Sequence, residues 1–395
     1  MDGMQLTHAD VQALASRARE TGRLAVDTEF QSNGRYVPLL CLVQVAVDAP
    51  ASPGGVRAEV LDPLDPSGPL DPAPLVEVLA DPAIEVVVHA GRQDIALLRR
   101  TWSTEVANVF DTQVAGGFLG LGAGQAYDRL VRRVLGVQLG GSEAFTQWEQ
   151  RPLTEAQLAY ARDDALYLLR LGETLEERLE TAGRLEWARE ECRGLELESD
   201  VRDPDRVFAR LPRVARLAGP QRGAARELVG WREAVAARAE RPVGWVLADH
   251  VLVEIAKRMP KTPQELERIR GLGAGTARKR ASELLAAIER GRDVEPPRLD
   301  GGRPPEDAAS APLLALADAL LRHRAHEAEV APQLVATQSD LAAVVAARAT
   351  GPEPDVRVLS GWRRDLVGAE LLDLLAGRRT LRVGEDGRLA VAPAD

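Results

Sequence analysis

Along the first half of the chain, short apolar runs alternate with helix-like periodicity. Residues 23–30 (RLAVDTEF), 39–47 (LLCLVQVAV) and 57–62 (RAEVLD) read as strands. Residues 73–81 read as a short helix, and 84–90 (IEVVVHA) as a continuous apolar run, the pattern of a buried strand. Residues 92–102 carry helical periodicity. Residues 107–113 (ANVFDTQ) predict a short strand feeding a helix, with Asp111 as its N-cap. Residues 152–180 predict one long helix opening on a Thr154 N-cap. The order is α/β, hairpins first and helices later.

The polar stretch SDVRDPDR (199–206) breaks the pattern, and residues 207–291 then read all-helical. Residues 294–312 are rich in Pro, Gly and charge, as linkers are. Residues 313–378 are again helical, and the tail predicts a small hairpin turning at Glu385–Gly387. The division expected is therefore 1–200, 207–291, a linker over 292–312, and 313–395. A weak self-match at an offset of 89 relates Val246, Leu252 and Ile255 to Val335, Leu341 and Val344.

Acidic residues stand at informative places in this pattern. Asp27 and Glu29 are two apart on a strand, so their side chains share a face. Two acids on one face of a buried strand repel unless a cation offsets them; a strand end with both acids in water is the alternative. Asp94 opens a helix directly after a buried strand, where α/β proteins form sites, although a first-turn acid also suits the helix dipole. In YARDD (160–164), stepping about 100° per residue puts Asp163 on the charged, solvated face and Asp164 at the margin of the buried one. Asp164 lies one turn from Tyr160, so phenol and carboxylate can point to one place. Asp27, Glu29, Asp94 and Asp164 together form a hard oxygen donor set suited to Mg²⁺ or Mn²⁺. Two such ions are the usual apparatus of phosphodiester hydrolysis. Tyr160, an intrinsically poor base at neutral pH, is cast as orienting the attacking water.

Charge sharpens the division. The net charge of −10 is distributed as −14 over residues 1–200, +8 over 201–290 and −4 over 291–395, and all three lysines (Lys257, Lys261, Lys279) lie in the middle segment. A basic module tethered to an acidic one suggests a polyanionic partner. Within it, Gly271, Gly273 and Gly275 form a turn between two helices, followed by Arg278, Lys279 and Arg280. Such a turn lets backbone N–H groups approach a phosphate; a glycine-capped helix end with a solvated basic turn is the competing account. Trp231 and Trp245 are expected in the core, His89 packed, and His323 and His326 solvated. Two cysteines, without disulfide or metal spacing, point to a reducing cytoplasmic compartment. The N-terminus shows no signal pattern, and no apolar run approaches the length of a membrane span.

VDTEF, VHAGRQDIALL and YARDD resemble the three exonuclease motifs of the DnaQ-like superfamily, tyrosine subclass. The flanks DTEFQSNGRYVPLLCLVQVAV, FDTQ and RPLTEAQLAYARDDALYLL resemble bacterial ribonuclease D over residues 4–195. The middle segment resembles an HRDC domain, and residues 313–376 a second, degenerate one. The resemblance implies an RNase H-like exonuclease domain with a mixed sheet followed by two all-α HRDC-type domains. It implies a metal-dependent 3′→5′ exoribonuclease releasing nucleoside 5′-monophosphates, with tRNA 3′ maturation as its role; a monomer is expected. Asp27 would bridge two ions, Glu29 and Asp164 would hold the nucleophile-side ion, and Asp94 would complete the site, partly through water. The residues alone leave a DNA exonuclease, or a decayed nuclease that only binds RNA, as alternatives. The chain departs from the family at Gly141, where a lysine is usual, and at Thr146–Gln147–Trp148, where Ser-Asp-Trp is usual. The Gly-rich residues 119–126 add a third departure. Altered substrate contact or a mobile loop is expected there, with metal binding retained.

Overall fold

A computed structural model describes residues 6–140, 146–294, 310–348 and 351–394. Gly141 and most of the expected linker lie outside them. The chain divides into two units: residues 1–30, 40–199 and 303–395, and residues 31–39 and 200–302.

The first unit opens with helix α1 (His8–Thr21), which Thr7 and Asp10 start as a capping box and Gly22 ends in the left-handed region. Strands β1 (Arg23–Gln31), β2 (Leu39–Asp48) and β3 (Val56–Leu61) follow. After α2 (Ala73–Leu79) come β4 (Glu85–Val88), α3 (Arg92–Trp102), β5 (Val109–Asp111), α4 (Thr112–Gly117) and α5 (Tyr127–Leu135). The five strands form one mixed sheet in the order β3-β2-β1-β4-β5. β2 and β3 are antiparallel, whereas β4 runs parallel to both β1 and β5. Strand alternation sends Leu24 and Val26 to one face, packed with Leu14, Val86 and Ile95. Ala25 faces the other side with Val87, Leu168 and Leu171. Asp27 and Glu29 continue the Ala25 face.

The single helix expected over 152–180 is two: α6 (Glu155–Leu166) and α7 (Leu168–Thr181), separated at Tyr167 with φ −100° and ψ −5°. The halves face different partners. α6 lies on β3, while α7 packs on α4, α5, β4 and the following helix α8 (Leu185–Arg193). The buried stripe changes accordingly, from Ala161 and Ala165 to Leu168, Leu171, Leu175 and Leu179. The Thr154 cap forms as expected, as a capping box with Gln157.

The second unit carries α9 (Pro204–Ala209), α10 (Gly219–Ala239), α11 (Val243–Val246), α12 (Asp249–Arg258), α13 (Pro263–Glu267) and α14 (Ala274–Arg292). It closes on its own core, including Phe208, Leu228, Leu252, Ile255, Leu284 and Ile288. α10 and α14 cross backbone to backbone: a Cβ on Gly223 would stand 2.1 Å from the Gly291 carbonyl oxygen. Trp231 is in this core, with its indole N–H donated to Glu283 at 2.7 Å. Trp245, expected there too, is 72% exposed. Helical spacing put both rings on one stripe, but Trp245 sits in the four-residue helix α11, none of whose residues is buried.

Residues 310–394 return to the first unit as α15 (Ser310–Glu327), α16 (Pro332–Val335), α17 (Gln338–Ala347), α18 (Gly361–Arg363) and α19 (Ala369–Leu375), with a π turn at Arg364–Gly368. The expected hairpin forms from β6 (Arg379–Val383) and β7 (Leu389–Pro393). This segment has no core apart from the exonuclease helices. Trp362 stacks on Trp187 of α8 at 5.1 Å and meets Phe118 edge-on at 5.2 Å. Buried Arg363 pairs with Glu191 and donates to the Leu334 carbonyl. Among the described residues, no helix is long and apolar enough to cross a membrane.

Candidate active site

Strand β1 runs past the part paired with β4, which ends at Ala25. That overrun places Asp27 and Glu29 beyond the carboxyl end of β4, where open α/β sheets build sites. Asp164 comes from α6, whose start is fixed by the Thr154 cap. Carboxylate oxygens of Asp27, Glu29 and Asp164 lie within 4.8 Å of one another, and all three residues are half-buried. Asp94 stands beside this trio without joining it; it is buried, and its carboxylate accepts the Thr28 hydroxyl.

The turn that presents Asp94 has two supports. Gly91 precedes α3 where a Cβ would lie 2.5 Å from a Val88 methyl, so the turn requires glycine. The amides of Ala90 and Gly91 donate to the Asp111 carboxylate at 3.1 and 2.9 Å. Asp111 also caps α4 through Gln113 and Val114. The sequence signals the cap; the second role, 20 residues away in the chain, has no periodic signature.

The electrostatics of the site suit a bound cation. Burial, then Asp94, Asp164 and Glu29, push Asp27 well above the usual carboxylate range. Burial and the repulsion of Asp164 and Asp94 raise Glu29 to about 8. Burial raises Asp164 to about 7 against the lowering effect of its hydrogen bond from Tyr160. Asp94 rises to about 6 by burial, offset in part by Thr28. Asp27 and Glu29 resist ionising because of burial and the neighbouring carboxylates, Asp164 and Asp94 chiefly because of burial, and a multivalent cation would relieve that cost. All donors are hard oxygens, which suits Mg²⁺ or Mn²⁺.

Tyr160 is half-buried. Burial and the carboxylates of Asp164 and Glu29 raise its phenol above its ordinary range, so at neutral pH it is a donor. Asp163 is not fully solvated as helical angle suggested. It is half-buried, its carbonyl accepts the Tyr127 hydroxyl at 3.4 Å, and its charge adds to the pressure on Asp164. Tyr127 comes from α5 and packs against His89, which itself lies within hydrogen-bonding distance of Thr112 and the Gln125 carbonyl.

In the second unit, Gly271 takes φ +90° and Gly273 is the residue before α14. Arg278 is tied to Glu267 at 3.0 Å and Arg280 to Glu283 at 2.8 Å, while Lys279 is exposed and makes no ion pair among the described residues.

Residues 4–180 match the family described as 3′-5′ exonuclease, and residues 221–288 match the HRDC domain. Ribonuclease D of Granulibacter bethesdensis is 37% identical over 385 residues, 96% of this chain and 93% of that protein. Ribonuclease D of Gluconacetobacter diazotrophicus is 37% identical over 387 residues, 96% of this chain and 94% of that protein. The chain belongs to the ribonuclease D family. The crystal structure of Escherichia coli ribonuclease D superposes with a TM-score of 0.79 at 27% identity, covering 94% of this chain and 97% of that one. Membership in the ribonuclease D family makes the chain a 3′→5′ exoribonuclease, and an exonuclease domain of this kind implies divalent metal ions. The carboxylate trio fits that requirement.

Proposed function

We propose that Asp27, Glu29 and Asp164, with Asp94 beside them, hold two divalent ions, Mg²⁺ or Mn²⁺, and that the enzyme trims structured RNA 3′ ends such as those of tRNA precursors. The observation that carries this reading is the convergence of three mutually repelling carboxylates from β1 and α6. When bound, the ions lower the pKa of the attacking water and offset charge on the leaving oxygen. The chain supplies the rest. Thr28 fixes the Asp94 carboxylate, and the Asp111 carboxylate fixes the turn that carries it. Tyr160, protonated and bonded to Asp164, orients the water and does not remove its proton. The structural relative from Escherichia coli is an exoribonuclease involved in structured RNA processing, which supports the same substrate class here.

We assign RNA phosphate contact to the turn at Gly271 and Gly273, with Gly275 in the first turn of α14 and Arg278, Lys279 and Arg280 following; Lys279 makes no ion pair among the described residues. Residues 313–395 are assigned as a degenerate HRDC-like module. The enzyme is read as a cytoplasmic monomer; its two buried cysteines, Cys41 and Cys192, suit a reducing compartment.

With Mn²⁺ or Mg²⁺, a tRNA-like RNA bearing a 3′ extension should shorten from that end, releasing mononucleotides, and should outpace a matched DNA. Asp164→Asn should lower kcat by about 1,000-fold with an unchanged circular dichroism spectrum, and Asp163→Asn by less than about threefold. Equal losses at the two positions would sink the assignment.

A further inference from the structure

Tyr160 bonds Asp164, one turn on in its own helix, but that hydrogen bond does not fix the plane of the ring. Tyr160 is half-buried, with exposed Ala159 before it and buried Ala161 after it, so its ring plane calls for a support from outside the helix. Trp148 supplies a surface: its ring stacks on Tyr160 with centroids 6.1 Å apart and planes at 27°, and it is only 4% exposed.

The described residues around Trp148, 146–154, belong to no helix or strand, yet they are fastened. Arg151 spends all five of its N–H donors there. Its Nε reaches Asp62 at 2.6 Å, and Nη2 reaches Asp62 and the Cys41 carbonyl at 2.5 and 3.1 Å. Its Nη1 reaches the carbonyls of Trp148 and Gln150 at 2.6 and 2.8 Å. Cys41 lies in β2, next to β1, and Asp62 directly follows β3. The guanidinium therefore ties the backbone of Trp148 to the sheet that carries Asp27 and Glu29.

We propose that Trp148 is a positioning residue for Tyr160, fixed to the sheet by the Arg151–Asp62 clamp, so that the phenol is aimed at Asp164 before substrate arrives. Trp148 touches no reacting atom; it acts through the tyrosine. Aromatic pairing fixes ring orientation as well as burying area, and a preset donor needs no reorganisation during reaction. Lysine cannot replace Arg151, since one ammonium carries three donors for acceptors set in a planar fork. The proposal rests on the reading of Tyr160 given above.

The test is a double-mutant cycle on the full chain, with an oligoribonucleotide and Mn²⁺. Trp148→Ala should lower kcat about tenfold, with KM and the Mn²⁺ dependence within about twofold of the parent. In a Tyr160→Phe background the same change should cost less than about twofold, because no hydroxyl remains to be aimed. Trp148→Phe should recover most of the rate, and Arg151→Lys should repeat the kcat loss in the parent background only. These last two variants carry the test if Trp148→Ala fails to fold. Equal losses in both backgrounds, or a rise in KM at constant kcat, would overturn the brace while leaving the tyrosine's role intact. A Tyr160→Phe enzyme as active as the parent would remove that role and the brace with it.

Discussion

Two helical modules follow the exonuclease sheet in sequence, and they are stabilised in different ways. Residues 204–292 bury Phe208, Leu228, Leu252 and Leu284 against one another. Residues 310–375 bury Leu320, Leu341, Val358 and Trp362 in a cluster that includes Phe118, Val131 and Leu175 of the exonuclease helices. Each module also holds a buried arginine, and the partners show the same contrast. Arg232 bonds Asp249 and the Leu247 carbonyl of its own module, whereas Arg363 pairs with Glu191 of α8. The middle module closes on a core of its own, whereas the C-terminal one shares the core of the exonuclease helices. Similar helical composition conceals this difference.

The largest effect that would break the comparison is truncation. A chain ending at residue 302 uncovers Phe118, Trp187 and the end of α4 at Gly117, on which Leu334 packs. Domain stability is only about 5–15 kcal/mol, so this chain should be insoluble or melt without cooperativity. Residues 200–294 expressed alone should show a cooperative thermal transition. An exonuclease domain that melts sharply without residues 303–395 would show that the shared cluster is dispensable.

A smaller, sharper probe uses one tryptophan in each module. Trp362→Ala removes a ring stacked on Trp187 and set against Phe118, which should cost about 3–5 kcal/mol. That loss should appear in the denaturant transition that abolishes nuclease turnover. Trp231→Ala should cost a similar amount in a separate transition and leave the first unchanged. If both substitutions shift one common transition equally, the two modules are not energetically distinct.

What was legible in the sequence follows the same line between local and distant causes. Asp27 and Glu29 were readable because two residues on a strand share a face, and Asp164 because four residues on a helix return to Tyr160. Asp111 announced its cap. The break at Tyr167 left no mark, since both flanks are helical in pattern and the interruption comes from the different elements they pack on. Asp163 looked solvated because its cover, Tyr127, stands 36 residues away in the chain. The Arg151–Asp62 clamp spans 89 residues. Residues 313–378 read as helical, but periodicity cannot say against which partner they pack.

Metal binding offers the finest test, because among the described residues the carboxylate trio lies in the first unit. Without metal, the folded pKa of Glu29 is raised to about 8, of Asp164 to about 7 and of Asp94 to about 6. A carboxyl whose folded pKa is raised binds its proton more tightly in the folded state. Its contribution is therefore fully present below the ordinary carboxylate range near 4 and is lost as pH rises through the folded value. Metal-free protein should melt lower at pH 8 than at pH 6 in the transition that carries turnover. Mg²⁺ should restore that transition by a margin that grows over the same window, on the order of 5 °C at pH 8, since about 1 kcal/mol moves a domain of this size by roughly 2–4 °C. The transition of the middle module should not respond to Mg²⁺ at either pH. A Mg²⁺ shift larger at pH 6 than at pH 8 would contradict the direction of these pKa changes. An equal shift in both transitions would mean that the two units unfold as one.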